Sequence, residues 1–273
     1  MTTLRQTLSQ VPRVGVVCRP QLPPERMREF VVAAEAAGLD DVWLWEDCFL
    51  QGGLTAAAAA LAWTGSVRIG LGLMPVPMRN PALAAMEIAT LARLFPGRFV
   101  PAAGHGVAAW MGQVGAQARS PMTLLREWVT AVRSLLHGNT VTVGGEYVRL
   151  DQVTLEWPPS PPPPLLIGAH GPRTLALAGE IADGLVLDVS ANAADVRQAV
   201  ATAAAQRPQE VVVYVRCQGS ASDVAGTIRA FADAGATAVI LQPAAEDPDF
   251  EATIQLVSSA RARSRHEATE PLP

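Results

Sequence analysis

Glu46 and Asp47 stand side by side at the end of the apolar run Val42, Trp43, Leu44, Trp45. Two carboxylates crowded in a semi-enclosed mouth repel each other, which raises one pKa toward the range useful for acid/base work. A loop start that pairs Arg19 or caps the next helix would use the same residues without any chemistry. His105 lies between Gly104 and Gly106. The glycines let the backbone approach a ligand closely, and the imidazole is the only side chain there. His170, Gly171, Pro172 and Arg173 read as a helix start, where free N–H groups and a guanidinium favour a phosphate or carboxylate; a plain helix entry is the alternative. The expected catalytic residues are therefore Glu46, Asp47 and His105.

The residue inventory excludes several other chemistries. The chain has 21 basic residues and none is lysine, which removes Schiff-base catalysis, lysine-held pyridoxal phosphate and a P-loop. Four groups, His105, His170, Glu46 and Asp47, would suffice to ring a divalent metal. No H-x-H pair accompanies them, however, and Cys18-Arg19 would place a cation at the site, so no metal is expected. Cys18, Cys48 and Cys217 are odd in number and far apart, as reduced thiols are. His137 at a helix end and His266 in the C-terminal stretch are given no role.

These candidates acquire a common location from the elements around them. Eight β-rich segments fall at 14–18, 42–46, 67–74, 99–103, 165–169, 185–188, 211–216 and 238–242, mostly as continuous apolar runs typical of buried parallel strands. Helical punctuation separates them. Met27, Phe30, Val31 and Ala34 share one face before Gly38, and Val224, Ile228 and Phe231 do so before Gly235. The joints AAGLDDVWL, IADGLVLD and DAGATAVIL repeat one helix-to-strand grammar, which predicts a left-handed glycine in each. Pro81, Pro121 and Pro172 suit first helical turns, with Asn80 and Ser120 as N-caps.

A long interval between the fourth and fifth strands holds a helix over 121–137 and a β-hairpin, 140–143 and 147–150, turned on Gly144-Gly145. The proline-rich 158–164 reads as a stiff polyproline approach to the fifth strand. The pattern predicts a single (β/α)8 barrel domain over 1–273, with its core at about 14–260, a short hairpin inserted before strand 5, and a frayed polar tail over 261–273. In such barrels chemistry sits at the C-terminal strand ends, which is where the candidates fall. Trp45 and Trp110 flank the same loops and can face a planar ligand.

Composition narrows the partners. A formal charge of −4 offers no basic field for nucleic acid or anionic lipid. The polar 1–13 stretch has no signal-peptide core and no run is long enough to span a bilayer, so a cytoplasmic protein is expected.

The segments GLDDVWLWED, VRIGLGLMPVPMRNPALAAMEIATLARLFPGRF, GHG and GAHGPRTLALAGEIADG resemble the luciferase-like flavin/deazaflavin oxidoreductases, nearest to the methylenetetrahydromethanopterin reductase branch. The likeness runs from about residue 14 to 242, and 68–99 is its most specific part. It implies a barrel that binds coenzyme F420 or, as the alternative, FMN at the C-terminal mouth, acts on a small molecule, and commonly forms a homodimer. By this resemblance Gly72-Leu73 corresponds to a strand bulge with a non-prolyl cis peptide behind the ring. Met74, Gly104 and Gly106 complete the ring site, while Gly168, Ala169, His170, Gly171, Pro172 and Arg173 hold the phosphate-bearing tail.

Two positions depart from the family pattern. Glu46-Asp47 stands where relatives often read Asp-His, and Val107 stands where some sugar-phosphate-oxidising relatives carry Glu. The acid/base role would shift to Glu46, Asp47 or His105. The resemblance thus implies hydride transfer between F420 and a small organic substrate, with an FMN-dependent monooxygenase and a cofactor-binding member without turnover as alternatives.

Overall fold

In the computed structural model, which describes residues 11–203, 210–243 and 249–269, the apolar runs become β1 (Arg13–Cys18), β2 (Asp41–Leu44), β3 (Arg68–Pro75) and β4 (Phe99–Gly104). After these come β5 (Val141–Gly144) and β6 (Arg149–Val153), then β7 (Leu166–Gly168), β8 (Gly184–Leu187), β9 (Glu210–Cys217) and β10 (Ala238–Pro243). All but β5 and β6 close into one parallel barrel in the order β1-β10-β9-β8-β7-β4-β3-β2. The fold is the expected (β/α)8 barrel. The strands β5 and β6 form the antiparallel hairpin ahead of the fifth barrel strand.

Helices cover the outside: α1 (Met27–Ala36), α2 (Gly53–Trp63), α3 (Pro81–Leu94), α4 (Ala108–Gln113), α5 (Pro121–Leu136), α6 (Pro172–Ile181), α7 (Ala193–Ala203), α8 (Ala221–Asp233) and α9 (Phe250–Thr269). Strand parity divides the core in two. Val42, Leu44, Val211 and Val213 point outward into the layer shared with the helices. Val17, Trp43, Val100, Leu166, Val212, Tyr214 and Ile240 fill the barrel. Trp43 and Tyr214 meet edge to face with ring centroids 5.8 Å apart, and Trp45 continues the column 5.5 Å from Tyr214. Glycine makes room for this column, because a Cβ on Gly70 would lie 2.3 Å from the Trp43 ring.

The N-terminal end of the barrel is closed by charge. Asp41 begins the second strand, which therefore starts before the expected residue 42 and ends at Leu44, so that Trp45 and Glu46 lie beyond it. Asp41 is 1% exposed. Arg13 donates to it at 3.2 Å and also pairs with Glu210, which Arg68 reaches at 3.3 Å. Burial pushes the Asp41 carboxyl up even though Arg68 and Arg13 oppose the shift.

Several expectations are corrected. Residues 261–269 are helical rather than frayed, because Arg261 forks onto Asp40 at 2.7 and 2.9 Å, Arg265 reaches it at 3.1 Å and Ser264 is buried. Gly38 and Gly235 take positive φ, 74° and 104°, but Gly184 lies inside β8 and does not; α6 ends instead on extended Ala182. Asn80 caps α3 by accepting from the Ala82 N–H at 2.8 Å. Ser120 does not cap α5, since its hydroxyl pairs with that of Thr123 and its N–H donates to the Tyr147 hydroxyl. The hairpin turn falls over Gly145 to Val148, closed by the Gly145 N–H on the Val148 carbonyl, so the return strand begins at Arg149. Within the proline-rich segment the Ser160-Pro161 bond is cis.

Candidate active site

The C-terminal strand ends enclose a cavity of about 530 Å³. Trp45, Glu46 and Asp47 reach it from the loop after β2, Gly72, Leu73 and Pro75 from β3, His105, Gly106, Val107 and Trp110 from the β4–α4 segment. Gly168, Ala169, His170 and Thr174 come from the β7–α6 segment, and Val186, Asp188, Val189, Tyr214 and Gln242 close the ring from the last three strands.

The peptide Gly72–Leu73 is cis, as the resemblance implies, and the β3–β4 register shifts between Leu71 and Met74. This bulge turns Leu73 into the barrel mouth. Gly104 on adjacent β4 and Gly168 on β7, the strand beyond it, are what admit it: a Cβ on either would lie 2.5 or 2.3 Å from Leu73 Cδ2. Gly104 thus serves the cavity through Leu73 and does not line it. Met74, expected at the ring site, is fully buried on the opposite side of β3 in the helix-facing core.

The three expected catalytic residues have unlike environments. Both oxygens of Glu46 are taken by Arg79, at 2.7 and 2.5 Å, and Oε1 also accepts from the Gly53 N–H at 3.0 Å where α2 begins. The helix-capping alternative for Glu46 therefore holds, with Arg79 as its ion pair in place of Arg19. Asp47 is half-buried in the mouth. Burial raises its pKa, and Arg19 opposes that shift. Burial lowers the His105 pKa, against a hydrogen bond from the ring to the Pro121 carbonyl. His105 Nδ1 is buried without a partner. The tautomer that satisfies both facts carries its proton on Nε2, toward Pro121, and leaves Nδ1 as a lone-pair acceptor.

Of the expected tail-binding residues, Gly168, Ala169 and His170 line the mouth, while Ala169, His170, Gly171 and Pro172 line an adjoining groove of about 370 Å³ between α6 and α7. Gly171 has φ 80°, a conformation that favours glycine, and no atom lies within 4 Å of the place where its Cβ would stand. Pro172 brings no N–H, so the first free donors of α6 are the amides of Arg173 and Thr174. The Arg173 side chain is exposed and lines neither space. His170 faces Asp188 at 3.4 Å.

Tyr214 carried no functional signal in the sequence, because an aromatic residue in the run Val211 to Val215 reads as core. Its inward parity was the available sign. The hydroxyl donates to the Gly72 carbonyl at 3.2 Å, and burial raises its pKa so that it stays neutral. Gln242, next to last in β10, has Oε1 buried and unpartnered. Among the described residues no three His, Cys, Asp or Glu side chains gather as a metal site, and no helix is long and apolar enough to cross a membrane.

A family model described as luciferase-like monooxygenase matches residues 8–225. Over 254 residues, 88% of this chain and 77% of the relative, the sequence is 28% identical to a 5,10-methylenetetrahydromethanopterin reductase of Methanolobus tindarius. It is 34% identical over 183 residues to an F420-dependent glucose-6-phosphate dehydrogenase of Nakamurella multipartita, across 61% of this chain and 52% of that one. The chain thus spans about half the length of the second relative. The structure superposes on an F420-dependent secondary alcohol dehydrogenase solved with an F420-acetone adduct, with TM-score 0.84 over 94% of this chain and 100% of the other; at 21% identity the likeness is one of fold.

Proposed function

Because the chain belongs to the luciferase-like monooxygenase family, we propose that it is a coenzyme F420-dependent oxidoreductase that moves a hydride between the deazaflavin and a small organic substrate. The observation that carries this reading is the Leu73 bulge, seated between Gly104 and Gly168 at the floor of a strand-end cavity. Relatives named for F420 use support this cofactor over FMN.

The residues present fit such a group. Leu73 would back a planar ring, with Trp45 and Trp110 beside it and the backbone of Gly106 and Gly168 close enough to touch it. The open Gly171 turn and the Arg173 and Thr174 amides would take an anionic tail at the positive end of α6. When bound, the deazaflavin supplies a two-electron hydride donor or acceptor. The chain's own residues then orient the substrate and handle its proton. His105 Nδ1 accepts a hydroxyl proton as hydride leaves the carbon, or returns one to the oxygen in the reverse direction. Asp47, half-buried with a raised pKa, is the second proton-handling group, and Glu46 holds the loop through Arg79.

Titrating the purified protein with F420 and separately with FMN, followed by ligand fluorescence, tests the reading. Micromolar F420 binding with weaker FMN binding is expected. The reverse preference would replace it with the FMN-dependent alternative, and binding of neither would remove it. The homodimer implied by the family resemblance would bury exposed Met86, Leu94 and Trp157, which line one groove; a monomer by light scattering would exclude it.

A further inference from the structure

The mouth is chemically one-sided. Leu73, Pro75, Val107, Trp110 and Val189 form an apolar wall. The carboxylates that line it are Glu46, Asp47 and Asp188; Arg79 holds Glu46, and Arg19, outside the lining, acts on Asp47. Among the described lining residues there is no arginine, and the chain has no lysine. A phosphate or carboxylate entering this space would lose its water, find no cation lining the cavity, and meet the charge of Asp47 and Asp188. An apolar body would instead gain by burial, at about 25 cal/mol per Å².

Two polar atoms of the lining residues are left over. His105 and Gln242 line the cavity, and His105 Nδ1 and Gln242 Oε1, closed off from solvent, have no partner and accept hydrogen bonds. A hydroxyl donor relieves such an atom, and its absence leaves the desolvation cost in place. The loops at this end of the barrel also present Phe49, Leu50, Met78 and Val114 to solvent. Val107 stands among them, 47% exposed at the start of α4 and lining the cavity with no polar group.

We infer that the mouth selects an uncharged, mainly apolar alcohol or its ketone and rejects phosphorylated or carboxylated substrates, with Val107 as a residue that sets this selection. The inference rests on the mouth being the reaction site proposed above, but it concerns only what that site admits. Calorimetric titration of the full chain, with and without F420, compares 1-phenylethanol with 4-(1-hydroxyethyl)benzoate, which share a skeleton and a hydroxyl and differ by one carboxylate. The uncharged alcohol should bind at least about tenfold more tightly, because the carboxylate would be desolvated without a counter-charge. Val107→Arg should reverse that order. Equal affinities, tighter binding of the carboxylate to the unaltered protein, or no 1-phenylethanol binding to either form would overturn the inference. Failure of F420 itself to bind is read in the same calorimeter and bears on the cofactor, while the alcohol comparison without F420 still decides the selection.

Discussion

The Tyr214 hydroxyl donates to the carbonyl of Gly72 at 3.2 Å and occupies the space a side chain at position 72 would need, since a Cβ there would lie 2.2 Å away. The two residues are 142 positions apart on opposite sides of the barrel. The bulge that presents Leu73 is therefore tied down from inside the core, by a group that also packs on Trp43 and Trp45.

Gly72→Ala should cost about 1–3 kcal/mol by overpacking. Tyr214→Phe should cost about 1 kcal/mol, from the lost hydrogen bond. The double variant should be less destabilised than the sum, because phenylalanine removes the atom that the new Cβ strikes. Urea unfolding of the three variants reads this coupling, and strict additivity would show that the contact is not what fixes glycine at 72.

Gly168→Ala acts on the cofactor site through Leu73. The new Cβ would stand 2.3 Å from Leu73 Cδ2, the far end of a flexible side chain, so Leu73 rotates into the cavity and the fold survives. F420 affinity should fall about tenfold, the scale of a modest steric misfit, and Leu73→Ala in the same chain should restore most of it. Fluorescence titration of both variants is the measurement. Unchanged affinity in Gly168→Ala would separate Leu73 from the ring site.

The barrel was legible because its strands are buried on both faces and read as apolar runs, and the Gly72-Leu73 bulge was legible through the resemblance. What the local sequence hid are pairings over long separations. Glu46 read either as an acid/base carboxylate or as a loop residue pairing Arg19 or capping the next helix, but Arg79, 33 positions on, is its ion pair. The polar 261–269 stretch read as a tail because Asp40, its anchor, lies 221 positions away. Gly104 read as a ligand contact, whereas its empty space is filled by Leu73. In each case the residue type was right for two environments, and only the closed barrel decided between them.

Glu35 accepts from the Gly65, Ser66 and Val67 N–H groups at 2.9, 2.6 and 3.0 Å, fastening α1 to the turn before β3. Burial opposes its ionisation, but these bonds and the Ser66 hydroxyl lower its pKa from 4.5 to about 2. A depressed folded pKa contributes stability that is present above the ordinary value and is lost as pH falls toward 2. Glu35→Gln should therefore be about 1–2 kcal/mol less stable at neutral pH, with the gap closing in acid. Urea midpoints near neutrality and at about pH 3 measure it; a gap that stays constant would mean that charge is not the contribution.

His105 carries the sharpest prediction for activity. Burial lowers its pKa from 6.5, against the Pro121 hydrogen bond, so the ring is neutral throughout the neutral range and Nδ1 is free to accept. For alcohol oxidation the acidic limb of kcat/KM should therefore fall below 6.5, with a plateau above it. Stability follows the same sign, since a base with a depressed folded pKa is protonated more readily when unfolded; its contribution is intact above the unfolded value and declines as pH falls through the folded one. His105→Gln keeps a polar side chain of similar reach but cannot take a proton. It should lower kcat by about a hundredfold, remove the acidic limb, and leave F420 affinity within a few-fold of the parent protein. A retained limb with that variant would move the proton to Asp47, and Asp47→Asn, which keeps the shape and loses the charge, would then be the variant that abolishes it.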